Sequence, residues 1–216
     1  AEDVAGWGGA VTRALVTGGS RGIGAAICAE LSMHGIRVDY VARSNGYDLA
    51  TYEGLEAARH LPVPDILINN VGGGGRYGTE DEVFSKNIAA MVALSEWALP
   101  TMLDKRWGRV VTISSIHGRE YGSRPIFMAA KAAQIAWMKG MSKDRRYVRA
   151  GITFNTVCPG NVFVEGKPRV DEDALPMGRM GTPQEVAQLV RFLCSNDAGW
   201  INGSTINIDG GESNAI

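Results

Sequence analysis

A glycine-rich segment follows the first apolar run of the chain and has the residue types that bind phosphate groups. It consists of Thr17-Gly18-Gly19-Ser20-Arg21-Gly22-Ile23-Gly24, in which Gly18, Gly22 and Gly24 have the spacing GxxxGxG. Glycine allows positive φ angles and close backbone approach, and the free N–H groups at a helix N-terminus attract anions. Between a strand and a helix, this segment predicts a binding site for the pyrophosphate of a dinucleotide.

Apolar runs alternate along the chain with segments of helical periodicity. We predict strands at 14–17, 36–42, 46–49, 65–69, 109–115, 151–158 and 204–208. We predict helices at 22–34, 51–60, 80–105 with an interruption at Pro100, 125–148 and 183–195. This alternation is typical of a parallel sheet covered on both faces. The predicted fold class is α/β: a single domain over 1–216, a Rossmann-like doubly wound parallel sheet with helices on both faces, preceded by an irregular lead-in at 1–11.

Further motifs follow the glycine-rich segment in a fixed order. They are Asn69-Asn70-Val71-Gly72, Asn87, Ile113-Ser114-Ser115, Pro159-Gly160, Ile201-Asn202-Gly203 and Asp209-Gly210-Gly211. As a set, over residues 12 to 211, they resemble the short-chain dehydrogenase/reductase family. The resemblance implies an oxidoreductase that transfers hydride between nicotinamide and a small carbonyl or alcohol substrate. It also implies a homotetramer or homodimer.

The resemblance assigns a set of residues to the cofactor: Gly18, Ser20, Arg21, Gly22, Ile23, Gly24, Arg43, Ser44, Asp48, Leu49, Asn70, Val71, Gly72, Lys131, Pro159, Gly160 and Val162. Ala42 stands where members that prefer NAD carry an acidic residue. Arg21 and Arg43 provide two guanidinium groups, whose charge and geometry suit a 2′-phosphate. We therefore expect NADP(H), with NAD(H) as the alternative if both arginines are only solvated surface charges.

The family's catalytic set is matched at three positions and broken at one. The resemblance implies that Ser115 orients the substrate oxygen, that Asn87 orders a water behind the lysine, and that Lys131 binds the nicotinamide ribose. Phe127 stands four residues before Lys131, where the family has its tyrosine proton donor, and phenylalanine has no hydroxyl. Because a general acid contributes roughly 10²–10⁴ in rate, we expect hydride transfer to be slow.

Three explanations of Phe127 remain open. The residue is an engineered or selected change, a natural variant with another proton donor, or the mark of a non-catalytic nucleotide-binding or partner protein. His117 and Tyr121 follow Ser115 and are the candidates for another donor. Two other departures from the family concern the cofactor. Val164 takes the place of a threonine that often bonds the carboxamide, and a shortened segment from Arg43 to Asp65 predicts an open adenine side.

Composition excludes several other classes. The chain has 216 residues, 45% hydrophobic and 21% charged, with a net charge of −1, as in a globular protein. This near-neutral charge argues against nucleic-acid binding, and the chain has no apolar run of the roughly 18 residues that a membrane span needs. The three distant cysteines form no CxxC pair. They predict no disulfide framework and no metal site, and a cytoplasmic location.

Overall fold

The computed structural model describes residues 12–73, 78–166 and 168–215. Within these residues the strands are β1 (Arg13–Thr17), β2 (Arg37–Val41), β3 (Ile66–Asn69), β4 (Gly108–Ile113), β5 (Ile152–Pro159) and β6 (Thr205–Ile208). The six strands form one parallel sheet in the order β2-β1-β3-β4-β5-β6. The order reverses beside β1, and a crevice at the carboxyl ends of β1 and β3 is where such sheets bind ligands.

Seven α-helices connect or flank these strands in the described part of the chain. They are α1 (Gly22–Met33), α2 (Tyr52–Arg59), α3 (Glu80–Phe84), α4 (Ala90–Lys105), α5 (Pro125–Met141), α6 (Arg145–Val148) and α7 (Pro183–Cys194). A π-helical turn, Ser85–Ala89, joins α3 to α4. None of the helices in the described ranges is long and apolar enough to cross a bilayer.

Alternating side chains of the strands build a core on each face of the sheet. Val16 and its neighbours on one face pack with buried residues of α1 and α7, among them Leu31 and Val190. Leu15 and its neighbours on the other face pack with buried residues of α4 and α5, among them Leu94 and Met138. Because strand side chains alternate between faces, helices are required on both sides. The predicted doubly wound parallel sheet is confirmed.

The predicted strand at 46–49 is wrong. Gly46 ends a 3-10 turn, Arg43–Asn45, with a φ of 93°. Asp48 then turns the chain into α2, because its carboxylate accepts a hydrogen bond from Ala50 N (3.1 Å) and its carbonyl accepts one from Thr51 N (3.0 Å). With its polar groups used in these turns, the segment adds no strand, and β2 is the outer strand of the sheet.

The predicted interruption at Pro100 is also wrong, since α4 continues through it. Pro100 lies on the exposed face of the helix, where the carbonyl that loses its N–H partner can bond to water. The irregularity in this region is the π-helical turn instead. The predicted helix at 125–148 divides into α5 and α6, and the predicted lead-in at 1–11 lies outside the described residues.

Thr182 begins α7 with a reciprocal cap. Its hydroxyl accepts a hydrogen bond from Glu185 N (3.2 Å), and the Glu185 carboxylate accepts one from Thr182 N (2.8 Å). We expect Thr182→Ala to lower the free energy of unfolding by about 1 kcal/mol, as measured by urea denaturation. Ser32→Ala, at an exposed position in α1, is the control and should change it by less than ~0.5 kcal/mol. Equal effects of the two changes would contradict this role of the cap.

Candidate active site

The first turn of α1 is built to receive an anion. Gly18 and Gly22 have φ angles of 70° and 55°, which turn the chain sharply between β1 and α1. Arg21 is the N-cap residue of α1, and no side chain caps the helix there. The N–H groups of this first turn therefore remain available, and a helix N-terminus with free N–H groups stabilises a negative charge.

Close packing fixes the shape of this turn. A Cβ on Gly24 would lie 2.2 Å from the carbonyl oxygen of Gly18 and 2.6 Å from Nδ2 of Asn70. The same Nδ2 donates to the carbonyl of Thr17 (2.9 Å), and the Thr17 hydroxyl accepts from the N–H groups of Asn70 and Val71 (both 2.8 Å). These bonds join the ends of β1 and β3. The Asn70 side chain therefore supports the loop from behind.

Two arginines lie at the same edge of the sheet as the glycine-rich turn. Arg21 and Arg43 are both exposed, as are Ser20 and Ser44. The ends of β1 and β2 are adjacent, since Gly18 N donates to the carbonyl of Val41 at 2.7 Å. Ala42, at the position where an acid would disfavour a phosphate, is buried. The two guanidinium groups therefore give this edge a positive charge.

Asp48 and Leu49, which follow Arg43 in the chain, already make contacts within the fold, so only some of their groups remain for a cofactor. Leu49 is buried in the core with Val41 and Ala58, so only its backbone remains for a ligand. The Asp48 carboxylate is half-buried and accepts from Ala50 N.

Lys131 has its ammonium group in the interior, at the carboxyl end of β4. Its Nζ donates to the carbonyl of Ile113 and to Oε1 of Gln134, both at 3.0 Å. Burial is the main cause that lowers the pKa of Lys131 to about 8. The centroid of the Phe127 ring lies 5.7 Å from Nζ, so the ring of Phe127 lies beside the ammonium but offers it no hydroxyl.

Asn87 lies in the π-helical turn and is fully buried. Its Nδ2 donates to the carbonyls of Val83 (2.8 Å) and Gly73 (3.0 Å), while its own carbonyl accepts from Nε2 of Gln134 (2.8 Å). Its Oδ1 is buried and has no hydrogen-bond partner among the described residues. This orphaned oxygen is a place where a water or a ligand hydroxyl would be bound.

Gly72 lies directly between Asn87 and Lys131. A Cβ on Gly72 would be 2.7 Å from Oδ1 of Asn87 and 2.9 Å from Nζ of Lys131. The absence of a side chain at Gly72 therefore leaves open a small polar space that is flanked by an acceptor and by an ammonium. The structure thus brings together three of the residues that the sequence predicts as a site.

Ser115 follows β4 and begins a 3-10 turn, Ile116–Gly118. Its half-buried hydroxyl accepts a hydrogen bond from His117 N at 3.2 Å, so its own hydrogen is free to be donated to a ligand. Nδ1 of His117 is buried without a partner in the described part of the chain. Tyr121 is 87% exposed, and this exposure disfavours it as a proton donor in a closed site.

The loop after β5 reaches across to the glycine-rich turn. Asn161 is held by Glu212, which accepts from its backbone N–H at 2.7 Å. Val162 forms a bridge with Gly181. The Val164 methyl groups lie 3.1 and 3.3 Å from the position of a Cβ on Gly22. Pro159, Gly160 and this loop therefore close the same crevice from the side of β5.

Sequence reasoning missed Gln134 and Ser114 as parts of this site. Gln134 contacts both Lys131 and Asn87, and the Ser114 hydroxyl donates to the carbonyl of Lys131 at 2.9 Å. The available signal was a glutamine one helical turn after Lys131, on a helix face that is otherwise apolar.

Known proteins resemble this chain over most of its length. A family profile described as enoyl-(acyl carrier protein) reductase matches residues 53–213. The acetoacetyl-CoA reductase of Rhizobium meliloti is 34% identical over 92% of this chain and 97% of its own length. The 3-oxoacyl-(acyl-carrier-protein) reductase FabG of Escherichia coli is 33% identical over 92% of this chain and 96% of its own. A solved short-chain dehydrogenase/reductase from Serratia marcescens is 30% identical with a TM-score of 0.81, and the match covers 94% of this chain and 98% of that one.

These matches agree with the motifs and with the fold. The alignment with the Rhizobium meliloti protein spans 241 positions, more than the 216 residues of this chain, so that relative has segments that are absent here. The profile covers more than half of the chain, and the relatives exceed 30% identity along nearly all of it. The chain therefore belongs to the short-chain dehydrogenase/reductase family of oxidoreductases.

Proposed function

We propose that the chain binds NADP(H) and reduces a small carbonyl compound, or oxidises the corresponding alcohol, at a low rate set by Phe127. The observation that carries the proposal is the uncapped first turn of α1 beside two exposed arginines, with the buried ammonium of Lys131 across the same crevice. This arrangement offers positive groups at the places where a phosphorylated dinucleotide is negative.

The residues present fit such a cofactor. The N–H groups of Gly22, Ile23 and Gly24 would bind the pyrophosphate, supported by Gly18 and Ser20. Arg21, Arg43 and Ser44 would bind the 2′-phosphate, while Asp48 and the backbone of Leu49 would bind the adenine. The polar space at Gly72, with Lys131 and Asn87 around it, suits ribose hydroxyl groups, and its size depends on the missing Cβ. Val71, Pro159, Gly160 and Val162 would line the nicotinamide side. NAD(H) is the alternative cofactor.

The reaction needs a hydride at the carbonyl carbon and a proton at the carbonyl oxygen. Bound NADPH would supply the hydride. Ser115 would donate its free hydroxyl hydrogen to the substrate oxygen, and Lys131 would add positive charge. Phe127 cannot give a proton, so the proton must come from His117 or from water. Without the tyrosine as general acid, the rate of the reaction would be lower by a factor of roughly 10²–10⁴.

The substrate class follows from the relatives. Two of them are named as reductases of acetoacetyl-CoA and of 3-oxoacyl thioesters on acyl carrier protein. We therefore take a 3-oxoacyl thioester as the first carbonyl substrate to test. A second candidate function is a non-catalytic nucleotide-binding or partner protein, and the observation that favours it is the absence of a hydroxyl at Phe127.

The test is NADPH consumption with acetoacetyl-CoA and a panel of small ketones, with the chain compared to its Phe127→Tyr variant. We expect slow turnover by the chain and a rise of about tenfold or more in the variant, because the introduced phenol is a general acid. Equal rates in the two proteins would refute the limiting role of Phe127. Two inert proteins that still bind NADPH would favour the non-catalytic function.

We further propose a homotetramer or homodimer and a cytoplasmic location. The support for self-association is the outer strand β6 with the half-exposed Phe192 of α7 and Trp200, which is 99% exposed. Exposed aromatic residues are enriched at subunit interfaces. The mass in solution, measured by light scattering, tests this part.

The charge state of Lys131 predicts opposite pH trends for binding and for stability. Burial lowers its pKa from 10.5 to about 8, so the side-chain amine is mostly charged below pH 8 and mostly neutral above it. We expect the affinity for NADPH, measured by calorimetry, to fall as the pH rises through about 8. Between pH 8 and 10.5 the unfolded chain binds more protons at this residue than the folded one, so its contribution to the free energy of unfolding rises there. Lys131→Met should abolish both trends; trends that persist in it would exclude Lys131 as their source.

A further inference from the structure

The side chain of Gln134 lies between the ammonium of Lys131 and the backbone carbonyl of Asn87. We call this side of the ammonium its back. Gln134 is 0% exposed, and Lys131 is 4% exposed. Its Oε1 accepts from Nζ of Lys131 at 3.0 Å, and its Nε2 donates to the carbonyl of Asn87 at 2.8 Å. Both ends of the carboxamide are therefore used, and one side chain spans the whole distance from the lysine to the π-helical turn.

The carbonyl of Asn87, which accepts from Gln134, belongs to the π-helical turn. The wider turn disturbs the regular hydrogen bonds of the helix, and two side-chain amides bond to carbonyls there. Asn87 itself bonds to the carbonyl of Val83 (2.8 Å), and Gln134 bonds to the carbonyl of Asn87 (2.8 Å). The contact between Lys131 and Asn87 thus passes through a side chain.

A carboxamide between Lys131 and Asn87 affects proton movement differently from a water in the same place. A water between an ammonium and a carbonyl can exchange its protons, and it can connect the ammonium to other waters. A carboxamide holds its two N–H protons on nitrogen, and its oxygen only accepts. In the described structure, two of the three N–H donors of Lys131 are held by Ile113 and Gln134, and the third is left for the space at Gly72.

We propose that Gln134 is a positioning residue that fixes the ammonium of Lys131 for binding and closes the route by which a proton would reach it from behind. On the side of Gln134, Lys131 then acts as a fixed cation and not as a proton carrier. This matches Phe127, which has no proton to receive or give. The inference rests on the proposed function for its catalytic consequence only, because the closure itself is a property of the folded chain.

The catalytic consequence is that Phe127→Tyr alone recovers only part of the rate of a general acid. The introduced phenol gives its proton to the substrate oxygen once, as the hydride arrives at the carbonyl carbon. It must then be protonated again, and Gln134 closes the route that would reach Lys131 from the side of the Asn87 carbonyl. Gln134→Ala opens space for at least one water, which Nζ of Lys131 and the carbonyl of Asn87 would hold.

The kinetic test compares the chain, Phe127→Tyr, Gln134→Ala and the double variant under saturating NADPH and substrate. We expect the double variant to turn over at least ten times faster than Phe127→Tyr, whereas Gln134→Ala alone turns over more slowly than the chain because Lys131 is less well held. The sign of the Gln134→Ala effect should therefore reverse with the residue at position 127. A purely structural role predicts a loss in both backgrounds, and that result would overturn the proposal.

A second measurement does not depend on catalysis. The hydrogen exchange of the Lys131 ammonium with water is followed by ¹⁵N NMR, with the signal assigned by its loss in Lys131→Arg. In the chain, water reaches the ammonium from the side of Gly72 only, and we expect exchange at least ten times faster in Gln134→Ala, where a second side is open. Equal exchange rates would overturn the closure, whatever the kinetics show.

The two measurements separate the inference from the proposed function. If none of the four proteins consumes NADPH with any carbonyl compound, the proposed reaction is wrong, and the exchange rates alone decide the role of Gln134. If thermal unfolding shows that Gln134→Ala is not folded, Gln134→Ser takes its place in both tests. The serine side chain is too short to reach the carbonyl of Asn87, so it leaves room for a water that can bond to its hydroxyl and exchange protons.

Discussion

Gly24→Ala is expected to weaken NADPH binding by about 100-fold. The added Cβ would lie 2.2 Å from the carbonyl oxygen of Gly18 and 2.6 Å from Nδ2 of Asn70. Neither atom can move freely, because the first is backbone and the second is bonded to Thr17. The turn must therefore shift away from the position in which the N–H groups of α1 meet a phosphate. Loss of one hydrogen bond to a charged group, which contributes about 1.5–3 kcal/mol, accounts for an effect of this size.

Isothermal calorimetry with NADPH measures this change, and circular dichroism shows whether the fold is kept. Gly140→Ala is the matched control, since a Cβ there meets no atom within 4 Å and the residue lies in α5. We expect the control to bind NADPH as the chain does and to gain about 0.5–1 kcal/mol in the free energy of unfolding. A Gly24→Ala protein that folds and binds NADPH with unchanged affinity would rule out the glycine-rich turn as the pyrophosphate site.

Arg43→Ala is expected to weaken the binding of NADPH by about tenfold to 100-fold and to leave NADH binding almost unchanged. The side chain is exposed just beyond the end of β2, and buried Ala42 beside it offers no competing carboxylate. Only NADPH carries the 2′-phosphate, and a hydrogen bond to such a charged group contributes about 1.5–3 kcal/mol. Because the site is exposed, added salt should reduce the difference between the two cofactors.

Calorimetry with both cofactors, at low and high salt, measures this effect. Arg37→Ala is the control: it removes the same charge from the opposite end of β2, where the side chain is also exposed. The control should bind NADPH and NADH as the chain does. An equal loss for both cofactors in Arg43→Ala would place Arg43 at a group that they share, and the preference for NADP(H) would have to be abandoned.

The sheet and its helices could be predicted because their signals are local. The apolar run before Gly18 and the helical spacing after Gly22 are properties of adjacent residues, and the structure has β1 and α1 there. The segment at 46–49 misled because Leu49 suggests a strand, whereas the Asp48 side chain and Gly46 direct a turn. Pro100 misled because its effect depends on which face of the helix is exposed. The low helix propensity of proline carries no information about that face.

The site divides in the same way. The glycine spacing and the four-residue separation of Phe127 and Lys131 were visible in the sequence. The role of Gln134 was not, because it depends on the π-helical turn that brings the carbonyl of Asn87 to it from a distant helix. The partnerless oxygen of Asn87 and the narrow space at Gly72 also arise only from tertiary packing.

The outer position of β2 has a practical consequence for a bound nucleotide. No strand lies beyond β2 in the described part of the chain, and Arg43, Ser44 and Asn45 at its end are exposed. An adenine held at this edge would therefore have no further strand beside it, and its outer face would stay in contact with water.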